Sequence, residues 1–70
     1  MYTIEYYYLD KRGHTRSKRI ECCNLDRVRY HCYNISKLTE HKPIAKPIVT
    51  YLQDGLVVKR YNYDEFIKKG

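Results

Sequence analysis

The 70-residue chain has no tryptophan, one phenylalanine, one methionine, two prolines and three glycines. With no tryptophan and one phenylalanine, the aromatic residues are almost all tyrosine. Glycines that stand apart, at turns and at the terminus, exclude a glycine-rich phosphate loop. No segment comes near the roughly 18 apolar residues of a membrane-spanning helix. The N-terminal "MYTIEYYYLD" also lacks the basic-then-apolar order of a signal peptide. Three cysteines, an odd number without a secretory leader, argue against a disulfide framework and for reduced thiols. The expectation is a soluble cytoplasmic protein in a reducing compartment, with no membrane partner.

What the chain does have is tyrosine and positive charge. There are nine tyrosines, whose rings can pack at the rim of a thin fold while the hydroxyls stay wet. Lysine and arginine number 14 against 8 aspartates and glutamates, a formal net charge of +6. A surplus of that size favours polyanions or acidic protein surfaces as partners, although it also serves solubility. Seventy residues form one small domain near the lower limit of what folds without a staple, which leaves little room for an enclosed active site.

Along the chain, "YTIEYYYL" alternates as a strand over residues 2 to 9, with Tyr2, Ile4, Tyr6 and Tyr8 on one face and Tyr7 on the other. "DKRG" reads as a type I turn closing on a left-handed Gly13, so that Asp10 faces His14. That loop sets a register in which Tyr8 meets Arg16, Tyr6 meets Lys18, Ile4 meets Ile20 and Tyr2 meets Cys22. On the reverse face Glu5 meets Arg19 and Tyr7 meets Ser17. Arg16 and Lys18 are then expected to lay their stems over the inward tyrosine rings.

Asn24 and Asp26 suit a helix start, and Leu25, Val28, Cys32, Ile35 and Leu38 recur at helical spacing, which predicts a helix over 25 to 38. The prolines of "HKPIAKP" forbid its continuation. "IVTYLQDGLVVKRYNY" then reads as a hairpin about Asp-Gly, pairing Gln53 with Leu56, Leu52 with Val57, Tyr51 with Val58, Val49 with Arg60 and Ile48 with Tyr61. In that register Ile48, Leu52, Val57 and Tyr61 share one side and Val49, Tyr51, Leu56 and Val58 the other, so the hairpin is apolar on both. "YDEFIKKG" has the charge order of a short terminal helix, with Asp64 and Glu65 early and Lys68 and Lys69 late. The predicted fold is α+β, ββαββ, a single domain: a four-stranded antiparallel sheet with one helix on one face and a short C-terminal helical turn.

The leading candidate for function is the first hairpin. Lys11, Arg12, Arg16, Lys18 and Arg19 fall within nine residues that contain no acid. A two-stranded ribbon with such a cluster can track phosphates. Arg27 and Lys37 would extend the positive surface, and Tyr7 and Tyr30 are the outward rings on which a base could stack. The competing account of these charges is a solvated edge strand that resists aggregation.

The second candidate is the spare apolar side of the second hairpin, with Ile48, Leu52, Val57 and Tyr61 as a protein interface. Through it the chain would form a homodimer or inhibit or adapt a host protein, as small accessory proteins of phages and mobile elements do.

Cys22, Cys23, Cys32, His14, His31 and His41 lack the paired spacing of a zinc site, since adjacent strand residues face opposite ways. Neither His31 beside Cys32 on a helix nor the adjacent Asp64 and Glu65 forms a catalytic pair. The expectation is a non-enzymatic binding module with no metal and no cofactor.

Overall fold

The computed structural model describes residues 1–67, so Lys68 and Lys69 lie outside the described residues. It contains β1 (Tyr2–Leu9), β2 (Thr15–Cys22), α1 (Leu25–Ser36), β3 (Ile48–Gln53), β4 (Leu56–Tyr61) and α2 (Asp64–Ile67). The four strands form one antiparallel sheet in the order β2-β1-β3-β4, with α1 inserted between β2 and β3. The architecture is α+β, ββαββ.

The first hairpin has the register expected from its loop, from Tyr2 opposite Cys22 to Leu9 opposite Thr15. The loop is fixed from inside. Asp10 N donates to the His14 carbonyl at 2.9 Å, Gly13 N donates to the Asp10 carbonyl at 3.0 Å, and Gly13 takes φ +80°. That left-handed conformation costs glycine little and any other residue more.

On the Ile4 side of the sheet, Ile4, Tyr6, Cys22 and Val49 are buried under Val28, Cys32 and Ile35 of α1 and Tyr63. Asn24 caps α1, its side chain accepting from Arg27 N at 2.9 Å, and Asp26 lies in the first turn. The helix ends two residues earlier than its apolar spacing suggests. Lys37 N and Leu38 N bond the carbonyls of Asn34 and Ile35, three residues back, which tightens the last turn and closes the helix before the prolines.

The second hairpin corrects the expected pairing. Gln53 meets Leu56 and Leu52 meets Val57, but Tyr51 then meets Lys59, Thr50 meets Arg60 and Val49 meets Tyr61. Val58 is the extra residue of a β-bulge, and every residue after it changes face. Tyr61 therefore does not share a side with Ile48, Leu52 and Val57. It lies half-buried on the helix side, its ring centroid 6.1 Å from Tyr2 and 5.8 Å from Phe66. The bulge sorts a hairpin that is apolar on both sides into one side packed on α2 and one left open.

α2 closes that packed side. Tyr63 is buried and its hydroxyl donates to the Cys32 carbonyl at 3.1 Å, which ties α2 to α1. Both helices thus lie on one side, and the molecule is a slab of 36 × 31 × 16 Å. No helix among the described residues is long and apolar enough to cross a membrane.

Candidate nucleic-acid interface

The register divides the basic hairpin. Alternation along β2 sends Arg16 and Lys18 to the helix side, beside Tyr8 and Tyr6, and Arg19 to the open side, opposite Glu5. Lys11 and Arg12 stand at the loop tip, and all five side chains are exposed. They are not electrostatically equal. Arg16 Nε donates to Asp10 at 3.1 Å and Arg19 Nε stands 3.9 Å from Glu5, whereas Lys11, Arg12 and Lys18 form no ion pair among the described residues.

Asp10 organises the tip. Its carboxylate accepts from Arg12 N at 2.9 Å, His14 N at 2.8 Å and Arg16 Nε at 3.1 Å. The His14 backbone N–H, followed by Arg16, holds the carboxyl below its ordinary range against the opposing effect of burial. The loop is therefore a fixed platform for Lys11 and Arg12. Arg16 points to Asp10; the cation–π contacts of the described residues lie elsewhere, with Lys37 Nζ and Lys59 Nζ each 4.7 Å from the ring centres of Tyr33 and Tyr61.

A neighbouring segment adds Lys42 and His41 beside the hairpin, together with Glu40, which lines one small cleft with Asp10, Lys11 and His41. Pro43 forms a bridge with Tyr8, and Ile44 N donates to the Tyr7 carbonyl at 2.9 Å, so residues 43 and 44 continue the sheet past the start of β3. His41, with a left-handed φ of 55°, stacks on Tyr8 at 4.7 Å between centroids. The same segment and the end of α1 border a groove of about 540 Å³, with Lys37, Lys42 and Lys46 on its rim and Ile35, Leu38 and Tyr63 in its wall. Lys46 is held by Asp64. The contribution of His41 and Lys42 was not visible in the sequence, because only the long-range bridge to Tyr8 brings "HK" beside the hairpin. The proline after it was the one local sign of a turn.

The remaining candidates separate. Arg27 is at the start of α1 and Lys37 at its end, ten residues or about 15 Å along a helix axis. Lys37 therefore joins the end of the molecule that carries the hairpin loop, and Arg27 lies near Cys22 at the other. Tyr7 is 55% exposed on the open side, and Tyr30 is exposed on α1 with its ring against His31 at 5.3 Å. The two rings are on opposite sides of the slab and form no common stacking platform.

The thiols are divided by burial. Cys22 and Cys32 are inside and Cys23 is exposed. Burial raises the Cys22 thiol and pushes Cys32 up to about 12, which keeps both neutral and unreactive. Among the described residues no three His, Cys, Asp or Glu side chains stand together as a metal site. The chain matches no protein-family model, no curated protein and no solved structure.

Proposed function

We propose that the protein is a small non-enzymatic module that binds nucleic-acid phosphates through the tip and β2 edge of its first hairpin. The observation that carries this reading is the partition of charge. Strand positions on the open side hold Glu5, Glu21, Arg19 and Arg60, which balance. The other described residues hold ten lysines and arginines against six acids, so the surplus lies on the helix side, the edges and the loops. Lys11, Arg12 and Lys18, free of acidic partners among the described residues, are the strongest phosphate ligands, with Arg16, Lys37 and Lys42 beside them. Tyr7, Tyr30, Arg19 and Arg27 stand apart and contribute little.

The test is charge reversal measured by binding to labelled DNA and RNA. Replacing Lys11, Arg12 and Lys18 together by glutamate abolishes binding, while Arg19→Glu changes it less than about threefold. Equal losses from both variants would contradict the assignment.

A second reading rests on β4, an edge strand on which Leu56, Val57 and Val58 are exposed in succession. Such an edge suits a protein partner that adds a strand, as an inhibitor or adaptor of a host protein would. A pull-down lost on Val58→Pro but kept on charge reversal of the first hairpin favours it.

A further inference from the structure

The open side of the sheet combines two features that rarely coincide on a monomer with a net charge of +6. It carries exposed apolar side chains at both ends, and it is electrically neutral. Tyr7 and Ile48 lie towards the hairpin-loop end of β1, with Ile44 beside Tyr7, and all three are more than half exposed. Leu52 and Val57 lie opposite each other at the other end. Between them Thr3 and Thr50 pair across the strands, their hydroxyls 2.6 Å apart and both residues buried although on the uncovered side. One hydroxyl donates to the other, so neither oxygen lacks a partner, and both are already covered by their neighbours in the single chain.

We infer that this face docks on the same face of a second copy, giving a two-fold symmetric sheet-on-sheet homodimer with the helices outside. Charge selects the occupant. Over the rest of the described residues cations outnumber acids ten to six, so a second basic chain meets a like-charged surface on average. Here two Glu and two Arg on each copy leave the strand positions of the face without net charge, so a second copy meets no net repulsion from them. A nucleic acid is disfavoured on this side, because one exposed tyrosine and no net charge make neither a stacking platform nor a phosphate track.

The area is sufficient for a weak dimer. Four strands about 4.8 Å apart and some seven residues long present a footprint of roughly 450 Å². Two copies then bury roughly 900 Å², in the range of weak, transient interfaces. The radius of gyration of 12.4 Å exceeds the about 11 Å of a compact chain of this length, as expected of a slab whose second face awaits a layer. The dimer does not depend on nucleic-acid binding, and it would present two basic hairpins, one on each copy.

The experiment is sedimentation equilibrium over a hundredfold range of concentration, with folding followed by circular dichroism. The wild-type chain is expected to dimerise in the micromolar range, and Ile48→Lys to be a folded monomer while Tyr30→Lys on α1 still dimerises. Glu5→Lys with Glu21→Lys makes the face carry +4, and Arg19→Glu with Arg60→Glu makes it −4, because each reversal changes the charge by two. Each double variant is expected to be monomeric alone, and an equimolar mixture to recover a heterodimer. Three results would overturn the inference: a wild-type monomer at every concentration, a dimer that survives Ile48→Lys but is lost on Val58→Pro at the β4 edge, or oligonucleotide binding abolished by Tyr7→Ala.

Discussion

Asp10 and Tyr63 set opposite pH limits on the fold. The Asp10 carboxyl is held below its ordinary range by the His14 N–H and Arg16, so its folded pKa lies under the unfolded value of about 3.9. Its contribution is present above that value and is lost as pH falls through the folded pKa. Replacing it, Asp10→Asn, is expected to lower Tm at neutral pH and to flatten the decline of Tm below about pH 4. At the other limit burial pushes Tyr63 and Cys32 up to about 12. Both groups stabilise fully below their unfolded values of about 10 and 8.5, and that stability is lost as pH rises towards the folded ones. Melting curves are therefore expected to fall on the alkaline side from about pH 9, and less steeply in Tyr63→Phe, which also loses about 1 kcal/mol at neutral pH with its bond to Cys32. A thiol reagent is expected to label Cys23 alone at once, and Cys22 and Cys32 only as the protein opens.

At the scale of elements, the two hairpins explain what was and was not legible in the sequence. The first could be read to the residue because its loop fixes one end and its faces differ in polarity, so a one-residue slip of β2 would turn Ile20 away from Ile4 to the open side. The second offers no such contrast. Apolar residues alternate on both sides, and two adjacent valines give no sign of which is the extra one, so the pattern does not fix the face of Tyr61. The cap was legible and the helix end was not, since the closing bonds of Lys37 and Leu38 belong to the backbone rather than to any side-chain pattern. Deleting Val58 removes the extra residue and leaves Tyr51 opposite Lys59 and Val49 opposite Tyr61, so Tyr61 keeps its place against Tyr2 and Phe66; a loss of no more than about 1 kcal/mol is expected in urea denaturation. Val58→Thr, which keeps the extra residue, is expected to be nearly neutral. Asn24→Ala is expected to cost about 1 kcal/mol by removing the α1 cap.

At the scale of the molecule the sequence discloses the amount of charge but not its address. "KRGHTRSKR" reads as one basic block, yet strand alternation divides it between two sides and two of its arginines are matched by Asp10 and Glu5. What remains is a smaller set, Lys11 and Arg12 on a tip braced by Asp10 and Lys18 further along β2, next to the segment of His41 and Lys42 that only folding brings near. The most direct measurement is the affinity for duplex DNA and single-stranded RNA as a function of salt. With four or so phosphates contacted, the logarithm of the binding constant should fall linearly with the logarithm of salt, with a slope of about −4 on duplex DNA. The Lys11, Arg12 and Lys18 reversal should abolish the binding that remains at low salt. Absence of binding at low salt, or binding that neither salt nor that reversal weakens, would contradict a phosphate-gripping hairpin.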